Sequence, residues 1–384
     1  MIIQADKLIY GDSHLAPREG GAVLVKDGRI AAVGDAAELK AANPDEPVTV
    51  YENATILPGL IDMHTHLGAD GGITQYETPW EMSMQAVHQL EQALKAGVTT
   101  VRGMSTFDGL EAAVTRAQTA GWVQVPRIVP ANQALCITGG HGAGDDGCVE
   151  CDGVDEVRKA VRAQIKKGAR WIKLMDSEGW RGEEFNQEEL DAIVEEAHRF
   201  HIPVAAHAGC QPSVDMCIRA GVDTIEHGTY MTMENALEMK KNGQSWTPTI
   251  LAFWRLDEFL GSGGTYIGDE VRSYSGPAIQ QYIDHFKALY DTGVRVMTGT
   301  DMVLPGMPAL PVALEAGKMV EYGITPLQAI EAATRNGGDV LGLEIGRLQE
   351  GYLADLLVVD GDPSLDIAAL TRVRAVYQSG KLVE

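Results

Sequence analysis

Between residues 56 and 347 the chain repeats one step: a helix-forming stretch ends in glycine, and an apolar run follows at once. Lys95-Ala96-Gly97 precedes Thr99-Thr100-Val101, and Lys166-Lys167-Gly168 precedes Trp171-Ile172-Lys173-Leu174. The step recurs at Ala220-Gly221 before Thr224-Ile225-Glu226-His227, at Asn242-Gly243 before Trp246-Thr247-Pro248, and at Thr292-Gly293 before Arg295-Val296-Met297. Glycine is favoured just past a helix C-terminus because, without a Cβ, it takes the left-handed conformation freely. Helix then strand, many times over, dictates a parallel sheet with crossover helices. Candidate strands fall at 56–63, 99–104, 126–132, 169–175, 202–208, 223–228, 246–250 and 295–301. Eight such units fit a (β/α)8 TIM barrel. A doubly wound open sheet is the competitor, but no G-x-G-x-x-G opens a helix after the first strand.

The two ends read differently. Ile2-Ile3-Gln4-Ala5, Gly21–Val25, Arg29–Val33 and Val48–Tyr51 are short strands, and Lys26-Asp27-Gly28 turns the second into the third as a hairpin. The flavour returns at Ala354–Asp360 and Val373–Tyr377. The expected fold is therefore of the α/β class: a barrel over 56–347, with a small β-sandwich domain built from 1–55 and 348–384.

At 384 residues, 45% hydrophobic and 22% charged, the chain has enough apolar material for both parts. A net charge of -23 argues against a nucleic-acid partner, which requires clustered Lys and Arg. Met1–Asp6 lacks a basic stretch followed by an apolar one, so no signal peptide is expected, and no apolar run is long enough to span a membrane. Five cysteines, an odd number, fit a reduced, cytoplasmic protein. Cys148-Val149-Glu150-Cys151 is a C-x-x-C without a second copy, and it reads as free thiols rather than as a zinc or redox site.

Barrel chemistry collects at the C-terminal ends of the strands. Those ends carry His64 and His66 on the first strand, His141 after the third, Lys173 on the fourth, His207 on the fifth, His227 on the sixth and Asp301 on the eighth. His64 and His66 are two apart, so in an extended strand they face the same way and can share one metal ion. A lone His207 would more often be an interior hydrogen-bonding residue, and Asp301 by itself reads as a cap for the following helix. Lys173 is stranger, because an ammonium between Ile172 and Leu174 costs several kcal/mol of desolvation unless paired or neutral. Their coincidence on one rim is what carries the functional reading. His14, His88, His198, His201 and His285 lie in loops or helices and read as solvated or capping side chains.

Pro58-Gly59-Leu60-Ile61-Asp62-Met63-His64-Thr65-His66, Ile172-Lys173, Ala206-His207-Ala208, Glu226-His227-Gly228 and Gly299-Thr300-Asp301 together resemble the amidohydrolase superfamily of metal-dependent hydrolases. Thr138-Gly139-Gly140-His141-Gly142 and Glu226–Tyr230 look most like its imidazolonepropionase-related, prolidase-like branch. The resemblance implies two divalent metal ions, zinc being the first expectation for imidazole and carboxylate ligands. His64, His66 and Asp301 would hold the deeper ion, His207 and His227 the outer one, and Lys173, N-carboxylated to a carbamate, would bridge them. A hydroxide shared by the ions would attack the C–N amide bond of a small carboxylate-bearing substrate, a dipeptide or an N-acyl amino acid. Asp301 would carry the proton, while His141 and Tyr230 would polarise the carbonyl or hold the carboxylate. Arg181 is a weaker candidate for that carboxylate, and Pro305–Pro311 is more apolar than expected in relatives. The alternative is a one-metal cyclic amidase or deaminase of the imidazolonepropionase type, which would not need the bridging lysine. A scaffold without activity is a third reading, disfavoured because all six ligands are present. A homo-oligomer is expected from the family alone.

Overall fold

The computed structural model describes residues 1–69, 78–177, 182–261, 269–301 and 311–384. The punctuating glycines behave as their positions require. Gly97, Gly168, Gly221, Gly243 and Gly293 all take positive φ, each just beyond a helix: Pro79–Lys95, Gly153–Lys166, Gln211–Ala220, Met233–Asn242 and Asp269–Asp291. Thr78, Asn186 and Thr232 close helix starts with reciprocal capping boxes, satisfying backbone donors that the first turn leaves open.

The strands between these helices are parallel. Leu60–Thr65, Val98–Gly103 and Arg127–Val129 pair in one run. Ala134–Cys136, Ile172–Met175, Val204–Ala208, Thr224–His227, Ser245–Thr247 and Arg295–Val296 pair in order in another, with Cys148–Glu150 added at its edge. A few backbone hydrogen bonds span the two breaks. Met63 N donates to Thr298 O at 2.9 Å and Asp301 N to His64 O at 2.8 Å, tying the eighth strand to the first. Arg170 N donates to Pro130 O at 2.7 Å, tying the fourth to the third. The third strand breaks where Pro130 lacks a donor and Asn132 takes φ of 60°. The result is the (β/α)8 barrel.

Several expected strands differ in extent: the third, fourth and eighth, expected at 126–132, 169–175 and 295–301, are regular only over Arg127–Val129, Ile172–Met175 and Arg295–Val296. The first barrel strand begins at Leu60, because Thr55–Pro58 pair with Leu356–Val359 in the terminal sheet. Gly59 is the pivot, since a Cβ there would collide with the side chain of Thr99. The seventh strand ends at Thr247, and the helix Ile250–Gly261 follows it.

The terminal strands form one eight-stranded sheet. It runs Lys381–Leu382, Val373–Gln378, Leu356–Asp360, Val48–Pro58, Ile2–Leu8, Gly21–Lys26 and Arg29–Asp35, with Arg18–Glu19 paired beside Ile2–Leu8. The sheet curls so that the edge strand Arg29–Asp35 meets the segment before Leu356–Asp360, with Arg29 bridging Leu353 and Ile30 N donating to Tyr352 O at 2.8 Å. Val23, Val25 and Ile30 thereby share a core with Leu356, Val358 and Tyr377 across the sandwich.

Period-two alternation decides what the barrel strands show to each side. Ile172 and Leu174 pack outward among the helices, as do Val204, Ala206, Ala208, Ile225 and Val101. Lys173, His207, Glu226 and Arg102 therefore point inward. Among the described residues, no helix is long and apolar enough to cross a membrane.

Candidate metal and active site

Asp301 is the hub. Its Oδ1 lies 3.1 Å from His66 Nε2 and 3.5 Å from His64 Nε2, and its Oδ2 lies 3.9 Å from His227 Nδ1. One potential ligand atom from each of His64, His227 and Asp301 lies within 4.8 Å of the others. The ring of His207 stands 4.5 Å from that of His227 and 4.5 Å from that of His141, centroid to centroid. Strand ends from five different units thus converge.

Backbone strain accompanies the convergence. His227 takes φ of 64° and Asp301 φ of 47°, both uncommon for side-chain-bearing residues. The strands turn sharply at these two positions and swing the side chains over the mouth. The close approach needs Gly299 as well, because a Cβ there would sit 2.7 Å from His64 Cβ and 2.5 Å from Thr247 Cγ2.

Three of the rings are oriented by a second contact. His64 Nδ1 meets Glu226 Oε2 at 2.8 Å, His66 Nδ1 meets Ser105 O at 3.0 Å, and His227 Nδ1 meets Thr249 Oγ1 at 2.7 Å. Asp62 accepts from Thr300 Oγ1 at 2.6 Å and from His64 N at 3.1 Å, locking the first strand to the eighth. Glu184 accepts from His141 N with both oxygens at 2.9 Å. Gly140 permits this, since a Cβ would come within 2.5 Å of Glu184 Oε2.

Charge in this dry mouth is unevenly shared. Burial drives His64 and His207 well below the ordinary imidazole range, aided by Lys173 for the first and His141 for the second. His227 falls to about 4, chiefly through burial. Burial lowers His66 too, but Asp301 outweighs it and raises the ring. Burial would raise Asp301, yet His64, His66 and His227 hold it well below the usual carboxylate range. The imidazoles of His64, His207 and His227, held neutral around a carboxylate, form a donor set that suits a divalent cation.

Lys173 supplies the sharpest observation. It is wholly buried, and its Nζ has no hydrogen-bond partner among the described residues. Burial pulls its pKa from 10.5 to about 8, toward the neutral amine. An orphaned amine beside His64, Glu226 and Asp301 fits a group that is completed by something further: carbon dioxide on the nitrogen and cations on the resulting carbamate. The residues present therefore fit the metal set that the sequence suggested.

Tyr230 lies within the turn closed by Met231 N donating to Gly228 O at 3.0 Å; it is half-buried, and burial raises its phenol. Arg181 and Pro305–Leu310 lie outside the described residues. All five cysteines are free thiols. Cys148 packs with Cys136, not Cys151, because the strand Cys148–Glu150 separates the two ends of the C-x-x-C.

Sequence reasoning passed over several contributors. Arg102 and Glu226 carried the same signal as Lys173, a charge within an apolar strand. Thr249 and Glu315 carried no local signal. Glu315 reaches Ile250 N at 2.9 Å and Leu251 N at 2.7 Å, capping from 65 residues away the helix that starts beside Thr249. Burial raises Glu315 from 4.5 to about 8, so the folded state keeps its proton where the unfolded state has lost it. The stabilisation is full below 4.5 and is lost as pH rises toward about 8. Urea unfolding across that window is expected to show wild type losing stability relative to Glu315→Gln. Parallel curves would refute the assignment.

Residues 55–383 match the amidohydrolase family, and residues 21–45 match the imidazolonepropionase-like composite domain of bacteria. Ochratoxinase of Aspergillus niger is 30% identical over 99% of this chain and 86% of its own; its crystal structure gives a TM-score of 0.87, covering 99% of this chain and 94% of that one. An Xaa-Pro dipeptidase with methionine bound in its active site is 30% identical, with a TM-score of 0.91 over 99% of this chain and 98% of that one. Imidazolonepropionase of Salinispora tropica is 25% identical over 96% of this chain and 94% of its own.

Proposed function

This chain belongs to the amidohydrolase family, and from that premise we propose that it hydrolyses the C–N amide bond of a small substrate bearing a free carboxylate, a dipeptide or an N-acyl amino acid. The observation that carries the reading is the wholly buried amine of Lys173, without a hydrogen-bond partner among the described residues, beside the cluster of His64, His227 and Asp301. The similarity to an Xaa-Pro dipeptidase supports an amino acid on the leaving side.

His64, His66 and Asp301 would hold one divalent cation and His207 and His227 a second, and Lys173, carboxylated on its amine, would add an anionic oxygen ligand. Bound there, two such ions, zinc first, supply Lewis acidity and lower the pKa of water. The protein's own groups do the rest. Asp301 takes the proton of the attacking water on a carboxylate oxygen and delivers it to the departing nitrogen. His141, held through its backbone by Glu184, donates toward the substrate carbonyl or carboxylate, and Tyr230 offers its hydroxyl to the same end. The buried strand ends exclude bulk water, which strengthens each of these contacts.

The test is a screen of dipeptides and N-acyl amino acids with zinc and bicarbonate present. Release of a free amino acid from one class supports the assignment. The 25% identity to an imidazolonepropionase keeps cyclic amides as the second reading. Turnover of lactams alone, with one metal equivalent that Lys173→Ala leaves in place, would favour it.

A further inference from the structure

The barrel interior holds two charges that the chemistry above leaves unused. Arg102, on Val98–Gly103, and Glu226, on Thr224–His227, are both wholly buried. Arg102 Nη2 donates to Glu226 Oε1 at 2.7 Å, Nη1 to Thr224 Oγ1 at 3.1 Å and Nε to Met63 O at 2.7 Å. Its guanidinium carbon lies 4.4 Å from the centre of the Trp171 ring. The second oxygen of Glu226 is left for His64 Nδ1, at 2.8 Å.

Stability alone does not account for this pair. Taking two ions out of water costs so much that apolar residues of similar volume often serve a fold as well or better. The pair does, however, accomplish something apolar residues cannot. A carboxylate accepting from Nδ1–H sets the tautomer of an imidazole, fixes its ring plane and strengthens the lone pair on the other nitrogen. Here that nitrogen is His64 Nε2, which faces Asp301 at 3.5 Å across the mouth. Arg102 meanwhile grips Met63 O, the backbone immediately before His64, so the guanidinium holds the ring's strand and the ring's partner together.

We infer that Arg102 and Glu226 are a positioning pair, fixing His64 as the Nδ1–H tautomer and aiming Nε2 as the donor toward a divalent cation. The inference rests on the metal reading above. Glu226 serves as the ring's anionic partner, and Arg102 supplies the balancing charge that a dry interior requires.

The experiment compares wild type, Glu226→Gln, Arg102→Met and the double variant. Zinc and cobalt affinities come from equilibrium titration, the cobalt absorption spectrum reports ligand geometry, and thermal unfolding is followed on metal-free protein. Each single variant strands one buried charge, so its thermal midpoint falls. The double variant strands none and recovers the midpoint. Its tighter metal affinity nonetheless stays weakened by about 10–100-fold, with an altered cobalt spectrum, because His64 still lacks its carboxylate. Full recovery of affinity in the double variant would show the pair to be structural only and overturn the inference. If all variants bind two equivalents as tightly as wild type, the positioning role falls and the metal reading stands. If wild type itself takes up no divalent cation with bicarbonate present, both fall.

Discussion

Replacing Lys173 with methionine is expected to abolish turnover while making the metal-free protein more stable. The two effects have one cause. The buried Nζ lacks a partner among the described residues, and burial lowers its pKa from 10.5 to about 8. That depression corresponds to about 3 kcal/mol of penalty at neutral pH, which an apolar side chain of similar length removes. The penalty applies fully below about 8 and vanishes above 10.5, so the stability gap between variant and wild type closes as pH rises through that window. Activity moves the other way, with kcat/KM falling by roughly a thousandfold or more, because the proposed bridging ligand would be gone. Lys173→Ala leaves a cavity where the carbamate would stand, and a small carboxylate in the buffer is expected to restore part of the rate there. Steady-state kinetics with and without acetate, together with thermal unfolding, check all three statements. A methionine variant that keeps wild-type activity would end the proposal for this lysine.

The second large effect belongs to Asp301→Asn. The substitution keeps size and shape, and asparagine tolerates the left-handed backbone, at φ of 47°, better than most residues. The fold is therefore expected to survive, with an unchanged circular dichroism spectrum. What disappears is the charge that three histidines face and the site that accepts the proton. A rate loss of about 10²–10⁴ in kcat is expected, together with reduced metal content. Activity within tenfold of wild type would remove Asp301 from the chemistry.

How much of this was readable beforehand depended on whether a signal was local. Gly97, Gly168, Gly221, Gly243 and Gly293 announce helix ends by their own backbone preference, so the barrel's rhythm was legible from neighbours a few residues apart. His64, His66 and Asp301 stood out because they terminate apolar runs. Lys173 stood out because an amine between Ile172 and Leu174 has no cheap way to be buried. Arg102 and Glu226 bore the same mark, but neither was read as a buried charge, because the partner that compensates its burial lies on a distant strand. The extent of the first strand was misjudged for another reason: Thr55–Pro58 are as apolar as barrel residues, yet they pair with Leu356–Val359 from the far end of the chain.

Sequence by itself therefore determined the alternation of strand and helix, the return of the C-terminus to the N-terminal sheet and the residue types gathered on one rim. These rest on short-range preferences and on a period of two that any strand imposes. Only the tertiary structure decided that Glu226 turns one oxygen to Arg102 and the other to His64, that Glu315 reaches across 65 residues to cap the helix beside Thr249, and that Lys173 has no partner among the described residues. Those outcomes depend on which side chains from distant strands fill the same few ångströms of barrel interior, and no local rule encodes that.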